Sequence, residues 1–159
     1  MGAPMQTELK RMQTFRVAGL AVRTKNSDEF DPTKAQIPNL WNAVFTTKAL
    51  EKIPNQPVSK AVYAVYSHYE SDASGEYDLT VGALIDEPSS EFRYVDICPG
   101  DYLVFQARGE LPAALIQTWG KIWAYFVQRP ELVRSFQTDF EHYVGAQAVD
   151  VYIGITSNT

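Results

Sequence analysis

The chain has 159 residues, 45% hydrophobic and 21% charged, with 14 Lys+Arg against 19 Asp+Glu and a formal net charge of -5. That is globular composition, long enough for a substantial core or two small lobes, with one compact unit as the default. The basic residues are scattered, which argues against nucleic acid as a direct ligand, because phosphate binding needs a basic stripe. The single Cys98 excludes an intramolecular disulfide and offers no zinc pattern, as expected of a reducing compartment. MGAPMQTELKRM has no signal-peptide apolar run, and nowhere do about eighteen apolar residues run together. The expectation is a soluble, cytoplasmic protein.

In chain order, the alternating, β-branched FRVAGLAVRT (15–24) reads as a strand, and KNSDEFDPTKAQ after it as a polar loop. Pro38 suits the first turn of a helix, and Ile37, Leu40, Trp41, Val44 and Phe45 make one apolar stripe that should end before IPNQP. KAVYAVYSHYE and EYDLTVGALI, joined by the turn SDASG, predict a hairpin. FRYVDI then leads through Pro99 and Gly100 into the strand DYLVFQARG. Pro112 opens a second helix, with Leu115, Ile116, Trp119, Ile122, Trp123 and Phe126 on its stripe and Gly120 offering close packing. After QRPEL, TDFEHYV and AVDVYIGI form a second hairpin turning at GAQ.

The second half thus repeats the first. AVR (21–23) answers QAR (106–108), LWNAVF (40–45) answers TWGKIW (118–123), HY (68–69) answers HY (142–143), and DLTVGAL (78–84) answers DVYIGIT (150–156). The common order is the signal: two β-α-β-β units, about 5–86 and 91–156, in a single domain over 1–159. The predicted fold class is α+β, a duplicated unit with pseudo-two-fold symmetry, an antiparallel sheet, two main helices and a central cleft. Seams between such lobes favour pockets.

TDFEHYV raises a chemical question, because it sets Glu141 in mid-strand. Alternation puts Asp139, Glu141 and Tyr143 on one face and Phe140 and His142 on the other. If Phe140 faces the helices, Glu141 faces the opposite side of the sheet. A carboxylate there must be exposed, paired with one of the basic residues, or reserved for a cation at the floor of an aromatic cage.

The runs FRVAGLAVRT, IPNLW, VYAVYSHYESDASGEYDLTVGA, CPGDYLVFQARGELPAALIQTW, TDFEHY and VDVYIGI, spread in order over roughly residues 5–156, resemble the GyrI-like effector-binding family. This is the small-molecule-binding domain fused to AraC-type regulators and found alone in integron cassettes. DFE with YxxYExD…GEYxLxxG carries the resemblance most specifically. It implies a duplicated β-α-β-β fold, a cleft for lipophilic and often cationic compounds, and Glu141 as counter-charge. Candidate aromatic walls are Trp41 and Trp119, at equivalent helix positions, with Trp123, Tyr63, Tyr66, Tyr77 and Tyr143. For each of these, ordinary core packing is the competing role.

Other chemistry finds less support. His68 and His142 fall at equivalent strand positions, but no metal-ligand spacing surrounds them, and neither a nucleophile motif nor a phosphate-cradling loop occurs. No cofactor, metal or catalytic residue is assigned. The expected activity is capture of a lipophilic cationic molecule, in drug sensing, sequestration or transcription regulation. With both main helices used in the repeats, a separately encoded DNA-binding partner is expected rather than direct operator binding. The resemblance also implies two alternatives: a small hydrolase of reactive xenobiotics using a pocket Glu and Tyr, and a gyrase-binding interaction protein.

Overall fold

The structure is a computed structural model that describes residues 7–58 and 60–156. Its elements in chain order are β1 (Thr7–Met12), β2 (Arg16–Lys25), α1 (Asn26–Glu29), α2 (Ile37–Thr46), α3 (Ala49–Lys52), β3 (Val62–Ser67), β4 (Glu76–Ile85), β5 (Arg93–Asp96), β6 (Gly100–Arg108), α4 (Ala113–Gln128), β7 (Arg134–Gly145) and β8 (Ala148–Ile155). The predicted strands and the two main helices are present, and the opening residues of the first predicted unit lie outside the described residues.

All eight strands join one antiparallel sheet in the order β1-β6-β8-β7-β3-β4-β2-β5. The order reads the same from either edge once the two β-α-β-β units are matched: β6-β8-β7 mirrors β2-β4-β3. The seam is the β3–β7 pair, where Ala64 lies opposite Glu141.

The edge strands depart from expectation. FRYVDI, taken as the lead-in to the second unit, supplies β5, which pairs with β2 of the first unit. The N-terminal β1, absent from the sequence reading, pairs with β6 of the second. Each unit therefore lends its leading strand to the other, and backbone hydrogen bonds cross between units at both edges as well as at the seam.

Helices α2 and α4 lie on the same face of the sheet, α2 over β2 and β4 and α4 over β6. Leu40 and Val44 pack with Ala64, Leu79 and Val81, and Ile122 packs with Phe105, Val149, Val151 and Ile153. Burial of each such Leu, Ile, Val or Phe side chain contributes about 1.5–3 kcal/mol. The other face is closed by the sheet itself. It curls far enough that Val95 and Ile97 from one edge share a cluster with Tyr102, Val104, Phe140 and Tyr152.

Phe140 therefore faces away from the helices and Glu141 toward them, the reverse of the orientation considered from sequence. Gly120 was expected to allow close packing in α4, yet a Cβ there would meet nothing within 4 Å. The close approach occurs in β2–β4, where Gly19 opposes Gly82 and a Cβ on either would sit within 2.0 Å of a backbone oxygen.

Candidate functional site

With α2 on one side and α4 on the other, the central strands β3 and β7 form the floor of a cleft of about 800 Å³. That volume lies within the range of small-molecule sites. One wall carries Ile37, Pro38, Trp41 and Phe45 from α2, the other Leu115, Ile116, Trp119 and Trp123 from α4. Phe30, just past α1 and 71% exposed, reaches across the mouth to Trp123, ring centroids 6.0 Å apart.

Glu141 lies on the floor and is only 2% exposed. Three aromatic side chains donate hydrogen bonds to it. The Tyr66 hydroxyl reaches Oε2 at 2.7 Å, Trp119 Nε1–H reaches the same oxygen at 2.8 Å, and the Tyr143 hydroxyl reaches Oε1 at 2.7 Å. Strand geometry explains two of these donors. Tyr143 follows Glu141 by two residues on the same face, and Tyr66 lies on the diagonal, because Ala64 is directly opposite. Ala64 also leaves room for the carboxylate. Trp119 comes down from α4.

A carboxylate offers about four acceptor positions, and three are occupied, two on Oε2 and one on Oε1. Among the described residues no basic side chain forms a salt bridge to Glu141. Burial pushes its pKa above the ordinary glutamate value, while the hydrogen bonds from Tyr143, Trp119 and Tyr66 pull it back. Tyr66 and Tyr143 have raised pKa values, chiefly from burial and then from the charge of Glu141, so both remain neutral donors.

A second polar group stands in the cleft lining. Arg134 Nη2 donates to Asp139 Oδ2 at 2.8 Å, and the Tyr69 hydroxyl donates to the same oxygen at 2.5 Å. The Gly154 N–H donates to Oδ1 at 2.8 Å. Glu29 also lines the cleft, but its oxygens are engaged in local structure. Thr24 and the backbone N–H of Gln36 donate to Oε2 at 2.6 and 2.9 Å, and the Ile37 N–H donates to Oε1 at 3.0 Å. Glu29 thus caps α2, which has no side-chain cap from its own Gln36.

Of the residues singled out from sequence, Glu141, Trp41, Trp119, Trp123, Tyr66, Tyr77 and Tyr143 all line this cleft. Tyr63 does not. It sits on the opposite face of the sheet, stacked on His142 at 4.5 Å and packed against Phe15 and Phe140. One residue of strand alternation separates it from the cleft. The histidines are not at equivalent positions either: His142 is inside β7, whereas His68 lies beyond the end of β3 with φ of 51°.

Sequence reading missed Asn26, Glu29 and Phe30, because KNSDEFDPTKAQ carries no periodicity to place it. It also missed Tyr69, although the HY repeat pointed there, and the Arg134–Asp139 pair, which depends on a bulge in β7 between those residues. Among the described residues no cluster of three or more His, Cys, Asp or Glu is placed to hold a metal ion, and no helix is long and apolar enough to cross a membrane.

The integron-associated effector-binding protein family, Cass2, matches residues 8–155. The chain belongs to that family. It is 32% identical to the integron cassette protein VCH_CASS2 from the mobile metagenome of Vibrio cholerae, whose crystal structure superposes with a TM-score of 0.83 over 94% of this chain and 95% of that one. It is 28% identical to YobU of Bacillus subtilis, whose name proposes a transcriptional regulator, over 94% of this chain and 97% of YobU. The protein SAV2435, in a structure bound to tetraphenylphosphonium, shares the fold at 13% identity, with a TM-score of 0.78 over 96% of this chain and 95% of that one. This Cass2 chain therefore has the α+β, antiparallel architecture of an effector-binding family.

Proposed function

We propose that this Cass2 protein is a binding module for lipophilic cations, with Glu141 as counter-charge and Trp41, Trp119, Trp123, Tyr66, Tyr77 and Tyr143 as its aromatic surround. The observation that carries this reading is the buried Glu141, held by three neutral donors and no basic side chain among the described residues, with acceptor capacity left on Oε1. A charge in low dielectric without a partner is unfavourable, so a cation in the cleft gains both the Coulombic attraction and the aromatic faces. Tetraphenylphosphonium, the ligand of the SAV2435 structure, is of this chemical class. Binding without turnover, in the cytoplasm and within a single domain of two repeated units, serves drug sensing or sequestration. Regulation of transcription, the role YobU's name proposes, would run through a separately encoded DNA-binding partner.

The test is fluorescence titration of wild type and Glu141→Gln with rhodamine 6G and a neutral analogue of similar shape. Removal of the counter-charge is expected to weaken the cation about 10- to 100-fold, the equivalent of about 1.4–2.8 kcal/mol, and the neutral dye less than about 2-fold. Equal loss for both dyes, or none for either, refutes the counter-charge.

A second reading rests on the same carboxylate. A raised Glu141 bonded to two tyrosines also fits a general base in a small hydrolase of reactive xenobiotics. Product formation from an electrophilic substrate, measured by mass spectrometry and lost in Glu141→Gln, would favour it over simple binding.

A further inference from the structure

Two tracks of contacting aromatic rings lead from solvent to the two oxygens of Glu141, one along each wall of the cleft. On the α2 wall, Phe45 stacks on Trp41 at 5.9 Å, Trp41 meets Tyr143 at 5.0 Å, and the Tyr143 hydroxyl donates to Oε1. On the α4 wall, Phe30 meets Trp123 at 6.0 Å, Trp123 meets Trp119 at 6.2 Å, and Trp119 Nε1–H donates to Oε2. In the repeat, Trp41 answers Trp119 and Phe45 answers Trp123, whereas Phe30 has no counterpart. The α4 track is therefore one ring longer, and the extra ring comes from the other unit.

Phe30 owes its place to a connection that only the first unit has. Residues 26–36, between β2 and α2, include α1, whereas β6 reaches α4 through 109–112 without a helix. A single exposed apolar side chain is ordinary, but this one lies in an anchored segment. Ahead of it, Asn26 donates to the Ala73 carbonyl and accepts from the Tyr77 hydroxyl, and Glu29 accepts the three hydrogen bonds described above. After it, the Gln36 side chain donates to the Arg23 carbonyl. The Phe30 ring is thus held at the mouth of the cleft with most of its apolar surface in water. Covering that surface with another ring is favourable.

We propose that Phe30 and Trp123 form an outer aromatic subsite, which takes a second aromatic group carried on an arm of the ligand while the cation sits at Glu141. The ligand class is then a two-part molecule: a lipophilic cation for the floor and, joined by a tether, an uncharged ring for the mouth. Chemistry sets that orientation, because the carboxylate lies buried on the floor and the pair at the mouth carries no charge. A compact cation leaves Phe30 in water, whereas a long enough arm covers it. The subsite rests on the cation-binding reading above.

The experiment compares methyltriphenylphosphonium with ω-phenylalkyl triphenylphosphonium ions of increasing tether length, by isothermal titration calorimetry of the full chain. Affinity is expected to step up about ten-fold at the tether that lets the terminal ring reach Phe30, the gain from one aromatic contact and the area it buries. In Phe30→Ser the ratio of that ligand to methyltriphenylphosphonium is expected to fall to about one, and in Phe45→Ser to stay at about ten. The wild-type series stands even if a variant does not fold. No binding of methyltriphenylphosphonium would overturn the cation reading and the subsite with it. Binding of that ion with no step along the series, or with only a steady rise in affinity, would overturn the subsite alone. A ratio unchanged in Phe30→Ser, or lost equally in Phe45→Ser, would also overturn it.

Discussion

The two β-α-β-β units place nearly the same residues around the cleft and differ at its centre. Trp41 of the first unit packs against Tyr143 of the second at 5.0 Å, and Trp119 of the second packs against Tyr66 of the first at 5.3 Å, both edge to face. Each helix thus clamps the tyrosine of the other unit. With Tyr66 and Tyr143 as counterparts, the residue two positions earlier is Ala64 in one unit and Glu141 in the other. Those two residues are also directly opposed across the seam. Strict duplication would set two carboxylates face to face in a buried site, where they could not both ionise. One carboxylate and one methyl group give a single charge with space beside it. Symmetry builds the walls, and one departure from it creates the polar centre.

The strongest test of that asymmetry is Ala64→Glu, which restores identity at the seam. It is expected to destabilise the fold by about 3–5 kcal/mol, as an uncompensated buried charge does, measured as the denaturation midpoint in urea at neutral pH. A variant as stable as wild type would show that the seam tolerates two carboxylates and that the comparison is wrong.

A weaker effect concerns pH. Because the folded pKa of Glu141 is raised by burial, its contribution to stability is fully present below the unfolded value and is lost as pH rises through the folded value. Binding runs the other way: cation affinity requires the ionised form and falls as pH drops through the folded value. Glu141→Gln should flatten both profiles, while binding of a neutral dye is flat in either protein. Titration of each dye between pH 4 and 8, conditions roughly spanning the interval above the ordinary carboxylate value, measures it. Identical pH profiles in wild type and variant would assign the dependence to other groups.

The smallest expected difference lies between the two clamping tryptophans. Trp119 Nε1 donates to Glu141, and no such bond is made by Trp41. Trp119→Phe removes a donor that lowers the Glu141 pKa, so the pH midpoint for cation binding should move upward by several tenths of a unit to about one unit, as loss of a hydrogen bond of about 1 kcal/mol implies. Trp41→Phe should weaken dyes through lost aromatic area and leave that midpoint in place. Equal midpoint shifts in the two variants would show that Trp119 acts by packing alone.

Strand and helix periodicity made both units, their order and the seam legible from the chain. Alternation also put Glu141 and Tyr143 on a common face, and the two long helical stripes identified Trp41 and Trp119 as counterparts. The same alternation could not tell which face of the sheet the helices cover, so Tyr63 was included although it packs behind the sheet with Phe15 and Phe140. Strand exchange at the edges was equally hidden, because β1 and β5 are short and carry no signal of their partners.

The sequence by itself determined the repeating elements and the residue types at the cleft, because periodicity and side-chain chemistry are local. Only the tertiary structure decided that Glu141 is buried beneath α4 with three aromatic donors. It alone decided that Glu29 is used as a helix cap, and that a bulge folds Arg134 back onto Asp139. These depend on where the helices sit over a curled sheet and on a slip in register, and both follow from packing between segments far apart in the chain.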